Sequence, residues 1–148
     1  MARRPASPSL SLVLPLLLLC SVGPAQGEEA PPHPIDATLE RCVDADPSTL
    51  GVMACIGNAD AAWDAELNAV WAELKATLPP EVFAKLLDAQ RAWLAYRDAE
   101  YEALGALYAT AEGTMFRPML ASDRMELTRG RARDLRGLLG VYRVAQEP

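Results

Sequence analysis

Apolar residues recur every three or four positions along the middle of the chain, which is the spacing of one face of an α-helix. The clearest stripe contains eight residues: Val52, Ile56, Ala59, Trp63, Leu67, Val70, Leu74 and Leu78. This stripe predicts a long helix over residues 50–78, which Pro79 and Pro80 bring to an end. Pro80 also suits the first turn of a following helix, which we predict over residues 80–111.

Two further helices are predicted on either side of this pair. A short helix over residues 36–43 precedes a turn, and a last long helix over residues 119–142 follows a loop that contains the helix-stopping Gly113. Sustained alternation of apolar and polar residues, the signature of strands, is absent from the sequence. We therefore predict an all-α fold: a small antiparallel helical bundle with a short N-terminal helix, a long helical hairpin and a C-terminal helix.

Large polar side chains interrupt the apolar stripes of the last two helices. Gln90 and Arg97 share a stripe with Trp93, and Arg124 and Arg131 lie on the stripe of the C-terminal helix. Because burying an amide or a guanidinium is costly without partners, these groups need hydrogen bonds from elsewhere. They form either an internal network that fixes helix register or a recognition site at one end of the bundle. Their stripe positions favour the network.

The first residues are typical of an export signal. Arg3 and Arg4 precede an apolar run, and small residues follow up to Gly27. We expect cleavage after Gly27, or alternatively after Ala25, and a periplasmic or secreted protein. Cys20 leaves a lipoprotein as the alternative, although the three leucines before it depart from the usual lipidation signal; only then would the protein be anchored to a membrane.

The chain is accordingly divided into four segments. Residues 1–27 form the signal peptide, residues 28–35 a proline-containing flexible lead-in, residues 36–143 the helical domain and residues 144–148 a tail. The formal net charge of −6 becomes more negative when the basic signal is removed. An acidic domain disfavours nucleic acid as a partner and favours a cationic protein, although solubility alone also explains such a charge.

Few residues offer reactive chemistry. Once Cys20 leaves with the signal, Cys42 and Cys55 are the only possible intramolecular pair, and an oxidising compartment favours a disulfide between them. These cysteines and His33, the single histidine, do not make a zinc ligand set. No serine lies in a motif with a histidine base. We therefore predict neither a metal nor a cofactor, and no enzymatic activity.

Several short motifs, in order, carry a family resemblance. They are Cys42 and Cys55, residues 63–68 (WDAELN) with Trp71, residues 89–93 (AQRAW), residues 96–98 (YRD), residues 113–116 (GTMF) and residues 128–131 (TRGR). With them the chain resembles the N-terminal domain of the LprI-type lysozyme-inhibitor family, a group of small exported bacterial helical proteins. Members often have a further cysteine pair, which this chain lacks: Tyr101 stands at one of the two positions, and residues 121–126 contain no cysteine.

The resemblance implies an exported protein that binds and inhibits a lysozyme-type muramidase. A cationic lysozyme would be attracted to the acidic domain, and residues 113–118 are the candidate inhibitory loop. The alternative is a periplasmic scaffold or accessory module with a different protein partner and no effect on lysozyme. The polar residues of possible recognition are Asp64, Asn68, Gln90, Trp93, Arg97, Asp98, Gly113, Thr114 and Arg131.

Overall fold

A computed structural model of the protein describes residues 31–147. The predicted signal peptide, Cys20, the first residues of the predicted lead-in and Pro148 lie outside these residues. The described chain forms four α-helices: α1 (Pro34–Ala45), α2 (Thr49–Thr77), α3 (Pro80–Tyr108) and α4 (Phe116–Gln146). Residues 31–147 contain no strand, and the prediction of an all-α bundle is confirmed.

Helix α1 begins earlier than predicted. Pro34 occupies its first turn, where a missing N–H costs nothing, and the Nδ1 atom of His33 accepts a hydrogen bond from the backbone N–H of Ile35 at 3.4 Å. The His33 ring also lies against the Trp63 ring, with 4.4 Å between the centroids. Residues 33–35 therefore belong to the folded domain, so the flexible lead-in was predicted too long.

The core lies between α2 and α4. Its largest fully buried side chains are Trp63, Val70 and Leu74 on α2 and Leu135 and Leu139 on α4. All three α2 residues belong to the stripe predicted from the sequence, and removal of such large apolar side chains from water is the main favourable contribution to folding. Helix α1 covers the beginning of α2.

The predicted disulfide joins Cys42 on α1 to Cys55 on α2, with the Cα atoms 5.7 Å apart. The chain turns tightly between these helices. The hydroxyl of Ser48 caps α2 by accepting from the N–H of Gly51 at 3.1 Å, and the carboxylate of Asp46 accepts from the N–H of Ser48 at 3.1 Å. The covalent link therefore reinforces a turn that already has its own hydrogen bonds.

Helix α4 continues to Gln146, beyond the predicted end at residue 142. Two arginines in the second half of α4 tie it to α2. Arg136 contacts Glu66 and Glu73, each at 2.6 Å, and Arg143 also pairs with Glu73. These ion pairs join residues far apart in the chain, so helical spacing alone did not indicate where α4 ends.

Helix α3 is the least buried of the three long helices, and Gln90 is its one buried residue among those described. The predicted tight link between α2 and α3 is present, but the backbone of α2 packs closely on α4 and α1 and not on α3. Leu78 and Pro79 both have extended backbone conformations, as expected for residues that precede a proline. Helices α2 and α3 therefore meet mainly through side chains, such as the rings of Trp71 and Phe83 at 5.0 Å.

Within the described part of the chain, none of the helices combines the length and the apolar character that crossing a membrane requires.

Candidate binding cleft between α2 and α3

A cleft of about 320 Å³ runs between α2 and α3. Its lining from α2 consists of Asp64, Leu67, Asn68 and Trp71, and its lining from α3 of Leu87, Gln90, Arg91, Trp93, Leu94 and Arg97. Five of the nine predicted recognition residues are among them. The α3 residues share one helix face because each of them has another member of the set three or four positions away.

Gln90 connects the cleft to α4. Only 7% of its surface is exposed, and its Oε1 atom accepts a hydrogen bond from the Nε atom of Arg131 at 2.8 Å. The Arg131 guanidinium also lies over the Trp93 ring, 5.8 Å from the centroid. Burial lowers the pKa of Arg131 from its ordinary value, although the carboxylate of Asp134 partly offsets this. Arg131 therefore contacts two residues of the cleft wall, Gln90 and Trp93, but does not line the cleft itself.

Arg97 forms one end of the cleft. Its guanidinium lies over the rings of Trp93 and Tyr101, at 5.4 and 5.7 Å from the centroids. Its Nε and Nη2 atoms donate to the Oδ1 atom of Asp98 at 3.0 and 2.7 Å. Asp98 is exposed and lies outside the cleft lining, so it acts on the cleft only through Arg97.

Asp64 and Asn68 form the exposed edge of the cleft on α2. They are one helical turn apart, and the Nδ2 atom of Asn68 donates to the Oδ2 atom of Asp64 at 3.0 Å. The pair leaves the Asn68 Oδ1 and Asp64 Oδ1 atoms as acceptors. In the part of the chain that the structure describes, no group of three or more His, Cys, Asp or Glu side chains is arranged to hold a metal ion.

Gly113 and Thr114 lie in a different place, the loop between α3 and α4. This loop borders a second cavity of about 530 Å³, lined by both residues together with Tyr108 and Phe116. Gly113 has a φ of 112°, a conformation that favours glycine. The nine predicted residues therefore do not form one site: the loop pair is separate from the cleft.

Two hydrogen-bonded pairs hold α3 against α4 near this loop. Tyr108 donates to the Oδ2 atom of Asp123 at 2.5 Å, which raises the pKa of the Tyr108 hydroxyl. The Tyr101 hydroxyl donates to the carbonyl of Arg124 at 3.3 Å, while Arg124 donates through Nη2 to the carbonyl of Tyr101 at 3.1 Å. Arg124 lies on the predicted stripe of α4, but this reciprocal contact was not predicted, because stripe position does not identify the partner.

Arg91, Leu87 and Leu94 were also missed as cleft residues. Their signal is spacing, since Leu87, Leu94 and Arg97 stand three, four and seven residues from Gln90, and Arg91 stands four residues after Leu87. Trp71 lies beside the apolar stripe of α2 and not on it. The structure places it in the cleft, facing α3.

The relationship of this chain to known proteins follows from a family model. The model described as lysozyme inhibitor LprI matches residues 42–135. This chain belongs to that family. The LprI match starts at Cys42 in the disulfide and ends at Leu135 in the core, so it contains the whole cleft and the loop with Gly113 and Thr114. The family is named for inhibition and not for catalysis.

Two similar proteins extend the LprI comparison. An uncharacterized protein of Rhizobium meliloti (strain 1021) is 34% identical over 150 residues, covering 92% of this chain and 96% of that protein. The crystal structure of an uncharacterized protein from Burkholderia thailandensis matches with a TM-score of 0.67 and 33% identity. That match covers 72% of this chain but 53% of the other, so this chain spans about half the length of the solved one.

Proposed function

We propose that this protein is an exported inhibitor of lysozyme-type muramidases that acts by protein–protein contact. The observation that carries the proposal is the match of residues 42–135 to the lysozyme inhibitor family. The net charge of −6 supports it, because an acidic inhibitor is attracted to a cationic lysozyme.

The loop between α3 and α4 is the element proposed to contact the enzyme. Thr114 and Met115 are exposed, and Met115 presents 63% of its surface to solvent. The loop begins directly after Tyr108, whose bond to Asp123 holds the end of α3 against α4. A loop fixed in this way loses little conformational freedom on binding, which favours affinity.

Inhibition can be tested with the oxidised mature protein, residues 28–148, and several cationic lysozymes. The readout is the rate at which a bacterial cell-wall suspension clears. We expect slower clearing that weakens as salt rises, because exposed charges are screened beyond about 10 Å at 0.1 M ionic strength. Unchanged clearing at excess protein would overturn the proposal.

A matched pair of variants tests the loop. Met115→Arg places a cation on the proposed contact surface, and we expect a loss of inhibition of about tenfold or more, as for a residue central to an interface. Val144→Arg makes the same change at a similarly exposed apolar residue, 68% exposed, near the end of α4. Equal inhibition by both variants would place the contact elsewhere.

Export is tested separately. We propose cleavage after Gly27, so mass spectrometry of the secreted protein should give an N-terminus at Glu28. A lipid-modified Cys20 at the N-terminus would instead identify a lipoprotein.

A second function, a scaffold with a different envelope partner, draws support from one surface. An apolar groove of about 510 Å³ lies between the start of α3 and the end of α4 and includes Val82, Leu138 and Val141. All three are exposed, and contiguous exposed apolar residues often mark a protein contact. Capture of the same envelope protein by the wild type and Met115→Arg, but not by Val141→Asp, together with unchanged lysozyme activity, would favour the scaffold.

A further inference from the structure

One polar side chain in the cleft between α2 and α3 has a hydrogen bond to its oxygen but none from its nitrogen. Gln90 is more than nine-tenths buried and lines the cleft, and its Oε1 atom is engaged by Arg131. Its amide nitrogen has no hydrogen-bond partner within residues 31–147. Because the oxygen faces Arg131, the nitrogen is the Gln90 atom left for a ligand in the cleft. The Nε2 atom is not one of the enclosed, unpaired polar atoms of residues 31–147, so it is open to the cleft, where a ligand oxygen can accept its hydrogen bond.

The opposite wall of the cleft supplies acceptors. The Nδ2 atom of Asn68 donates a hydrogen bond to the Oδ2 atom of Asp64. The Oδ1 atoms of Asn68 and Asp64 therefore remain available as acceptors on α2. On α3, Gln90 and Arg97 supply donors. Donors on one helix thus face acceptors on the other across a space of about 320 Å³.

Two tryptophans from the facing helices add apolar walls. Trp71 is held by Phe83, and Trp93 is backed by the guanidinium groups of Arg97 and Arg131. Both rings are half-buried, so each keeps part of its surface toward the cleft. Indole rings with nearby amide and carboxylate groups present an apolar face beside directed hydrogen-bonding atoms.

The charged residues of the cleft determine which class of ligand it can bind. A simple anion in the cleft would face the Asp64 carboxylate, and a simple cation would face Arg91 and Arg97. A neutral, hydroxyl-rich ring suits both walls, because each hydroxyl donates and accepts, and its C–H faces can lie on an indole. The volume is at the small end of the range for ligand sites and fits one or two such rings.

We propose that this cleft is a carbohydrate-binding site for a short neutral saccharide, with Gln90, Asn68 and Asp64 bonding its hydroxyl groups and Trp71 packing on a ring face. The proposal is independent of lysozyme inhibition, since it uses the cleft and not the loop at Met115.

The test is a titration of the oxidised mature protein with N,N′-diacetylchitobiose, cellobiose and maltose. Tryptophan fluorescence and isothermal titration calorimetry are the readouts. We expect saturable binding of at least one disaccharide with a Kd of about 1 mM or below, the range of a small polar ligand in an open cleft. No saturation by any of the three up to about 50 mM would overturn the proposal.

Variants locate the site. Asn68→Leu changes an exposed cleft residue without disturbing the core, and Trp71→Leu keeps an apolar side chain against Phe83; both should weaken binding about tenfold or more. Glu102→Gln, an exposed change further along α3 and outside the cleft lining, should bind as the wild type does. Unchanged binding in Asn68→Leu and Trp71→Leu would overturn the assignment. If Met115→Arg loses lysozyme inhibition yet still binds saccharide, the two proposals stand or fall separately.

Discussion

The Nε atom of Arg131 on α4 donates a hydrogen bond of 2.8 Å to the Oε1 atom of Gln90 on α3. This contact joins the least buried helix to the core-forming one and positions the amide that faces the cleft. The two residues are 41 positions apart, so the bond exists only in the folded chain.

Removing one partner of this bond should destabilise the fold. Arg131→Met leaves Gln90 Oε1 buried without a donor, and we expect a loss of about 1–3 kcal/mol in the free energy of unfolding. The double variant Gln90→Leu/Arg131→Met should recover part of that loss, since no polar group is left unpaired. Urea unfolding gives the values, with the exposed Arg91→Ala as the control. Purely additive effects of Gln90→Leu and Arg131→Met would contradict the coupling.

Acid should weaken the connection between α2 and α4 at Glu73. Hydrogen bonds from Arg143 and then Arg136 hold the pKa of Glu73 below its ordinary value of 4.5. The ionised form is therefore favoured by folding, and the stability it contributes is present above pH 4.5 and is lost as pH falls through the lower folded-state pKa.

Thermal unfolding followed by circular dichroism between neutral pH and strong acid measures this effect. Glu73→Gln should lower the midpoint at neutral pH and make it fall less steeply in acid than for the wild type. Parallel curves for the two proteins would show that Glu73 is not the responsible group.

Two glycines on α2 should respond in opposite directions to the same change. A Cβ atom at Gly51 would lie 2.5 Å from the backbone carbonyl oxygen of Asp46, so Gly51→Ala should cost about 1–3 kcal/mol of stability. A Cβ atom at Gly57 meets no heavy atom within 4 Å, and Gly57→Ala should stabilise α2 by about 1 kcal/mol through its higher helix propensity. Chemical denaturation of both variants is the measurement; a stabilising Gly51→Ala would contradict the tight turn.

The disulfide should matter even though α1 is short. Replacing Cys42 and Cys55 together by alanine opens a link with a sequence separation of 13, and the loss should be about 3 kcal/mol if chain entropy dominates. The wild type in reducing agent is the matched control and should unfold at a similar denaturant concentration. An unchanged midpoint in both samples would mean that the turn at Ser48 alone holds α1 to α2.

Helix α2 was predicted within a residue of its observed ends because eight apolar residues at helical spacing and a proline pair mark it. The same periodicity indicates that one face of α2 is buried, but it does not indicate which helix covers that face. That is why α4, and not α3, turned out to be the main partner of α2. Arg143, which lies beyond the predicted end of α4, pairs with Glu73, and local spacing does not encode this contact.

For the polar residues too, the sequence indicates which side chains need a partner but not which partner they have. Stripe positions indicated that Gln90 needs a partner, yet both Arg97 and Arg131 were available, and only the packing of α3 on α4 selects Arg131. Gly113 and Thr114 follow Arg97 closely in sequence, but α3 extends about 16 Å between residues 97 and 108 at 1.5 Å per residue. They therefore lie near Tyr108 and Asp123 and not in the cleft.

The shallow burial of α3 gives the cleft two unequal walls. Helix α2 is locked into the core by Trp63, Val70 and Leu74, while α3 is retained mainly by Gln90 and the tyrosine contacts to α4. Backbone amides of α3 should accordingly exchange with deuterium before those of α2, since segments with few buried contacts open first. A ligand that binds between the two helices would contact a firmly held wall on α2 and a more mobile wall on α3. Its binding should therefore slow deuterium exchange along α3.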